Sequence, residues 1–187
     1  VTVYSRIRRQ QLIQEAEGYL DLILAVSDPF PLDARHRDRL AKRAIAVLDQ
    51  LDHGEFCRGR AHYLRGQAFR VMEKHHQSID ALLKAADVDP MNVHIHLSLA
   101  WCYKRVGRID LAIQCLEDVL EVEPDRGILH YNLACYWSLA NNVGLTLAHL
   151  ARAFEMNVAY RQLVAEEPDF DPVRSHPEFL ALTSVRV

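Results

Sequence analysis

Glycine and proline are scarce in this chain, seven of each in 187 residues. That scarcity excludes Gly-rich or Pro-rich disorder and leaves long stretches free to become regular. Long apolar runs are lacking too. The longest, around Leu22 to Val26, falls far short of the roughly 20 residues that span a bilayer, so no transmembrane helix and no membrane partner are expected. Charge of one sign is also missing: 22 basic side chains stand against 25 acidic ones, a net charge of −3. Nothing global therefore attracts nucleic acid or anionic membrane. The four cysteines, Cys57, Cys102, Cys115 and Cys135, form no C-x-x-C pair and read as reduced packing residues of a cytoplasmic protein. There is no G-x-S-x-G elbow, no Gly-rich phosphate loop and no H-E-x-x-H, so neither an enzyme nor a bound cofactor is expected.

What the chain does have is a period. Pro90 and Pro124 are 34 residues apart, as are the small residues Gly66, Ala100 and Ala134, the aromatics Phe69, Tyr103 and Trp137, and the trios Leu82, Leu116, Leu150 and His62, His96, His130. A period of this length predicts stacked helix-turn-helix units. The small residues let the two helices of a unit approach, with Ser78, Ala112 and Thr146 as their counterparts, while the aromatics and leucines fill the space between units.

In chain order, Ile7, Ile13, Ala16, Leu20, Ile23 and Leu24 predict an amphipathic helix from Ser5 to about Val26, with Glu15 and Asp21 on its wet side. Asp28-Pro29-Phe30-Pro31 breaks it. A second helix, capped by Asp33 and striped by Leu40, Ala44, Val47, Leu48 and Leu51, completes an off-register N-terminal hairpin that Asp52-His53-Gly54 closes. The periodic units follow at 59–92, 93–126 and 127–158, with Gly107 placed as a left-handed residue after a helix and a turn at Asn141-Asn142. Beyond them a helix near Ala159 to Glu166, a loop at Asp169 to Pro172, and a last helix with a capping box at Ser175-His176-Pro177-Glu178 form a cap. The expected division is 1–56, 57–158 and 159–187.

These residues resemble the tetratricopeptide repeat, whose pattern is a small residue, an aromatic, two alanines and a late proline. The likeness covers 59 to 158, and the tail is similar to the endings of many bacterial proteins of this kind. Departures are Arg65 for leucine, Ser78 and Thr146 for alanine, Val119 for the second alanine and Val158 for the third proline. The resemblance implies an all-α fold, a right-handed superhelical solenoid of antiparallel helix hairpins, with the first helix of each unit lining a concave groove. The groove positions it implies are Arg60, Tyr63, Leu64, Gln67, Arg70 and Val71, then His94, Leu97, Ser98, Trp101, Lys104 and Arg105, then Ile128, Tyr131, Asn132, Cys135, Ser138 and Leu139. This set mixes aromatics with cations and contains no acid. It suits an extended peptide or protein segment bearing carboxylates, held by Arg70, Lys104 and Arg105 and anchored on Tyr63, Trp101 and Tyr131. The lysine, asparagine and arginine clamp with which some members of the family hold chaperone tails is absent, since Tyr63, Gln67, Ser98, Ile128 and Asn132 stand at its positions.

Ten histidines raise the question of a metal. Equivalent positions on stacked hairpins lie roughly 10 Å apart, whereas each ligand of one zinc sits about 2 Å from it, so His62, His96 and His130 read as packing residues. His94 and His96 project about 200° apart on a helix, and His75-His76 is a turn pair. The acids Glu166, Glu167, Asp169 and Asp171 lack the spacing and central glycine of a calcium loop. No metal site is expected. Two readings compete with the groove: self-assembly through the N-terminal hairpin or the tail, and, disfavoured by interleaved acids, nucleic-acid binding by Arg6, Arg8, Arg9, Arg35, Arg37, Arg39, Lys42 and Arg43.

Overall fold

The computed structural model describes residues 3–27, 32–51 and 58–184. The break at Asp28 to Pro31, the turn at Asp52-His53-Gly54 and Cys57 lie outside the described residues. Within the described residues all regular structure is helical, and no helix is long and apolar enough to cross a membrane. The chain divides into two compact units, Val1–Val106 and Gly107–Val187.

The first unit holds α1 (Val3–Ser27), α2 (Ala34–Leu48), α3 (Arg58–Val71), α4 (His75–Ala86) and α5 (Val93–Arg105), each packed on the next, with α3 also touching α1. Asp33 caps α2 as expected, accepting from the His36 amide at 2.9 Å. Asn92 does the same for α5 through the amides of His94 and Ile95. The core joins Leu12, Ile13, Ala16, Leu20 and Ile23 of α1 to Ala44, Val47 and Leu48 of α2 and Ala61, Leu64 and Ala68 of α3. Two residues of the expected α1 stripe are out of it: Ile7 is 50% and Leu24 58% exposed. At about 100° per residue Ile7 lies almost opposite the buried face, and Leu24 lies at its margin.

Between α3 and α4 the close approach is real. A Cβ on Gly66 would sit 2.5 Å from Leu82 Cγ. Ser78, at a position where the repeat usually has alanine, is fully buried; its hydroxyl donates to the Gly66 carbonyl at 2.8 Å and accepts from the Cys102 thiol at 3.3 Å. The departure from alanine therefore ties three helices together instead of loosening them.

The second unit holds α6 (Ile109–Leu120), α7 (Gly127–Leu139), α8 (Val143–Met156), α9 (Tyr160–Val164), a 3-10 turn (Pro168–Phe170) and α10 (Pro177–Thr183). Here the tail differs from expectation. α9 is shorter, the expected loop contains the 3-10 turn, and Phe170 within it is fully buried. The capping box at Ser175 does not form. His176 is the N-cap, with no side-chain hydrogen bond, because Pro177 opens the helix at its first position. The left-handed residues themselves obey the period: Glu73 (φ 60°), Gly107 (φ 77°) and Asn141 (φ 57°) each follow the first helix of a unit.

Candidate functional site

In the first unit α3 and α5 set their groove positions side by side, and α1 adds a wall. One cavity, of about 320 Å³, is bordered by Arg60, Tyr63, Val88, His94 and Ile95. A second, of about 350 Å³, is bordered by Leu20, Leu24, Tyr63, Val71, Arg70 and His94. Tyr63, half-buried, stands between them. The α1 wall changes the charge reading. It brings Glu17 and Asp21 to the second cavity, so the groove is not free of acid, and Glu17 grips Arg60 at 2.6 Å. Arg60 also lies over the Tyr63 ring, 5.2 Å from its centroid.

The remaining cations are arranged around Trp101. Arg70 and Arg105 approach its ring at 5.4 and 5.6 Å, and His75 meets it edge-on at 5.4 Å. Arg70 is held by a relay: its Nε donates to Gln67 Oε1 at 2.8 Å, Gln67 Nε2 donates to Ser98 Oγ at 2.7 Å, and Ser98 Oγ donates to the His94 carbonyl at 2.8 Å. That relay leaves the outer guanidinium nitrogens of Arg70 oriented, and among the described residues neither Arg70 nor Arg105 has a carboxylate partner. Burial first, then the Arg105 charge, pushes the His75 imidazole below its usual range, so this corner carries its charge on arginine. His94 and Arg105 are exposed, Leu97 and Lys104 half-buried, and Leu64 buried.

The groove positions on α7 have a different fate. Tyr131, Cys135 and Ser138 are buried, leaving Ile128 exposed and Asn132 and Leu139 half-buried. Tyr131 stacks on Tyr160 at 5.1 Å and meets the edge of Phe170 at 5.9 Å. The structure thus brings together the α3 and α5 residues named from the sequence and covers those of α7 with the tail. Sequence reasoning missed Glu17, Leu20, Leu24 and His75. The spacing of Glu17 to Asp21 and of Leu20 to Leu24, one helical turn each, was the available signal.

The repeating histidines have a structural task. His96 Nε2 meets the Pro90 carbonyl at 2.7 Å and His130 Nε2 the Pro124 carbonyl at 3.1 Å, so in the second and third repeats the imidazole donates to the proline six residues earlier. Cys102, Cys115 and Cys135 are free and buried; burial pushes the Cys102 thiol up, which keeps it protonated. Among the described residues no three of His, Cys, Asp and Glu converge as metal ligands would.

The tetratricopeptide repeat family matches residues 93–126, the same bounds the 34-residue period gives to the second unit. Residues 93–126 are a tetratricopeptide repeat. A stretch of 52 residues is 33% identical to anaphase-promoting complex subunit 3 of Dictyostelium discoideum; it is 28% of this chain and only 5% of that protein. Among solved structures, YrrB, described as a TPR protein with an unusual peptide-binding site, is similar with a TM-score of 0.61 at 16% identity, covering 90% of this chain and 88% of its own. MamA of Desulfovibrio magneticus RS-1 is similar with a TM-score of 0.57 at 13% identity, over 84% of this chain and 97% of that one. Another MamA structure reaches 0.58 at 20% identity, over 89% and 98%. These likenesses show the fold.

Proposed function

We propose that this tetratricopeptide-repeat protein is a non-catalytic interaction scaffold that takes a peptide or protein segment in the groove of its first unit. The observation that carries the reading is the juxtaposition of two cavities around Tyr63, lined by both apolar and charged side chains, with two guanidiniums over Trp101. Such a surface offers aromatic anchors for apolar side chains and bidentate donors for carboxylates, the residue types that dominate binding energy at interfaces. Arg60, neutralised by Glu17, contributes less than Arg70 and Arg105. Lys104 adds positive potential beside them. The partner is accordingly an extended segment with acidic or terminal carboxylate groups.

The test is to pan a random peptide library on the full chain and to measure selected peptides against three variants, Tyr63→Ala, Trp101→Ala and Arg70→Glu. Helicity is followed alongside. Peptides that lose about tenfold or more in affinity on these changes, with circular dichroism unaltered, support the groove. Selected peptides indifferent to all three would overturn it.

A further inference from the structure

The chain already lays a peptide of its own on one groove row, and that peptide shows what the open row is shaped for. Tyr63 and Tyr131 are 68 residues apart, two repeat periods, and so hold the same place in their units. On α7 the ring of Tyr131 is stacked by Tyr160 and met edge-on by Phe170, which is fully buried. Phe170 comes from Glu166-Glu167-Pro168-Asp169-Phe170-Asp171-Pro172, one aromatic among four acids. The α7 row itself carries no lysine or arginine: Ile128, Ser138 and Leu139 stand where repeat equivalents carry Arg60, Arg70 and Arg105. Asp171 turns instead to Arg174 of the same segment, at 2.9 Å. Among the described residues the buried Oη of Tyr131 has no hydrogen-bond partner, and burial, then Cys135 and the carboxylates of Glu167 and Asp169, push its phenol upward.

We propose that the segment bound by the open groove of the first unit is an acidic peptide carrying an aromatic residue, of the kind that covers Tyr131. This rests on the groove reading above. Tyr63 holds the repeat position of Tyr131, beside a cavity bordered by cations that α7 lacks. The aromatic side chain packs against Tyr63 and the apolar wall of Leu20, Leu24 and Val71, and the carboxylates lie toward Arg70 and Arg105. Glu17 and Asp21 on the α1 wall set that polarity, because they repel the acidic side of the ligand from the cavity's other edge.

The experiment is fluorescence anisotropy of a labelled, end-blocked peptide with the sequence of residues 165–173, titrated with the full chain. Saturable binding is expected, weakened about tenfold by Phe→Ala in the peptide, by replacing its four acids with amides, and by Tyr63→Ala or Arg70→Gln in the protein. Because Arg70 is only half-buried, R70Q decides the matter even if Y63A disturbs packing. Binding that ignores the peptide's phenylalanine, its acids or R70Q overturns the proposal. Failure of this peptide to bind while panned peptides of other composition remain sensitive to Tyr63→Ala overturns the proposal and leaves the groove standing. Panned peptides insensitive to Tyr63 and Arg70 overturn both.

Discussion

Glu73, Gly107 and Asn141 occupy one backbone position in three successive units, and only glycine adopts its positive φ without steric cost. Gly107 was legible as a turn residue; Glu73 was not, because glutamate carries no such signature and the position is visible only once the period is imposed on the backbone. Gly107→Ala should cost about 1–2 kcal/mol, read as a lower midpoint in denaturant. Glu73→Asn should gain about 0.5–1 kcal/mol, since its ion pair to Arg37 is exposed on the glutamate side, at 61%, and holds little. Two other glycines separate packing from propensity. Gly66→Ala drives a methyl into Leu82 and should destabilise by about 1–3 kcal/mol. Gly18→Ala on α1 meets nothing within 4 Å and should stabilise by up to about 1 kcal/mol. Thermal melts of the two variants should move in opposite directions.

At the scale of helices, α3, α5 and α7 start at residues 58, 93 and 127 and α4, α6 and α8 at 75, 109 and 143, each about one period after the last, because each is set by a repeated stripe and a short turn. The tail was less legible. Phe170 is a single apolar residue in an acidic run, with no periodic partner, so nothing in the sequence marks it as core. The α1 wall was missed for a related reason: Asp21 reads as a wet-side residue until α3 is packed against that margin. The α7–α8 pair carries a pH dependence. His130 Nε2 donates to Pro124, so its Nδ1 must accept the proton of His149 Nδ1, 3.0 Å away. Burial, then the charge of His130, holds His149 below the usual 6.5. His62 and His75 are likewise lowered, chiefly by burial. A histidine whose pKa is lower in the folded state leaves stability intact above 6.5; as pH falls from there toward the folded value, the unfolded chain binds more protons and stability is lost. Melting midpoints should therefore drop between neutral pH and the depressed folded values, and His149→Gln, which keeps a donor toward His130, should flatten that drop.

For the molecule as a whole, composition and period made the class of fold legible while leaving the site half-drawn. A net charge of −3 gives no sign that two arginines converge on one indole. That convergence arises because positions 70 and 105, in successive repeats of the first unit and one place apart in repeat register, are brought to the same ring when α3 and α5 pack. It also explains why the acid of α1 matters out of proportion to its number. Glu17 neutralises Arg60 at the rim of a groove in which, among the described residues, Arg70 and Arg105 have no carboxylate partner, so it tunes the local field more than the global charge does. Glu17→Gln should leave stability within about 1 kcal/mol, as removal of a partly exposed surface pair does, while releasing Arg60 to the ligand. The affinity of an acidic peptide should then rise by about threefold to tenfold. Its fall with added salt should also steepen relative to the wild-type chain. Measured as the same peptide titration at low and at physiological salt, equal affinities and equal salt slopes for the two proteins would show that Arg60 and its partner lie outside the path of the ligand.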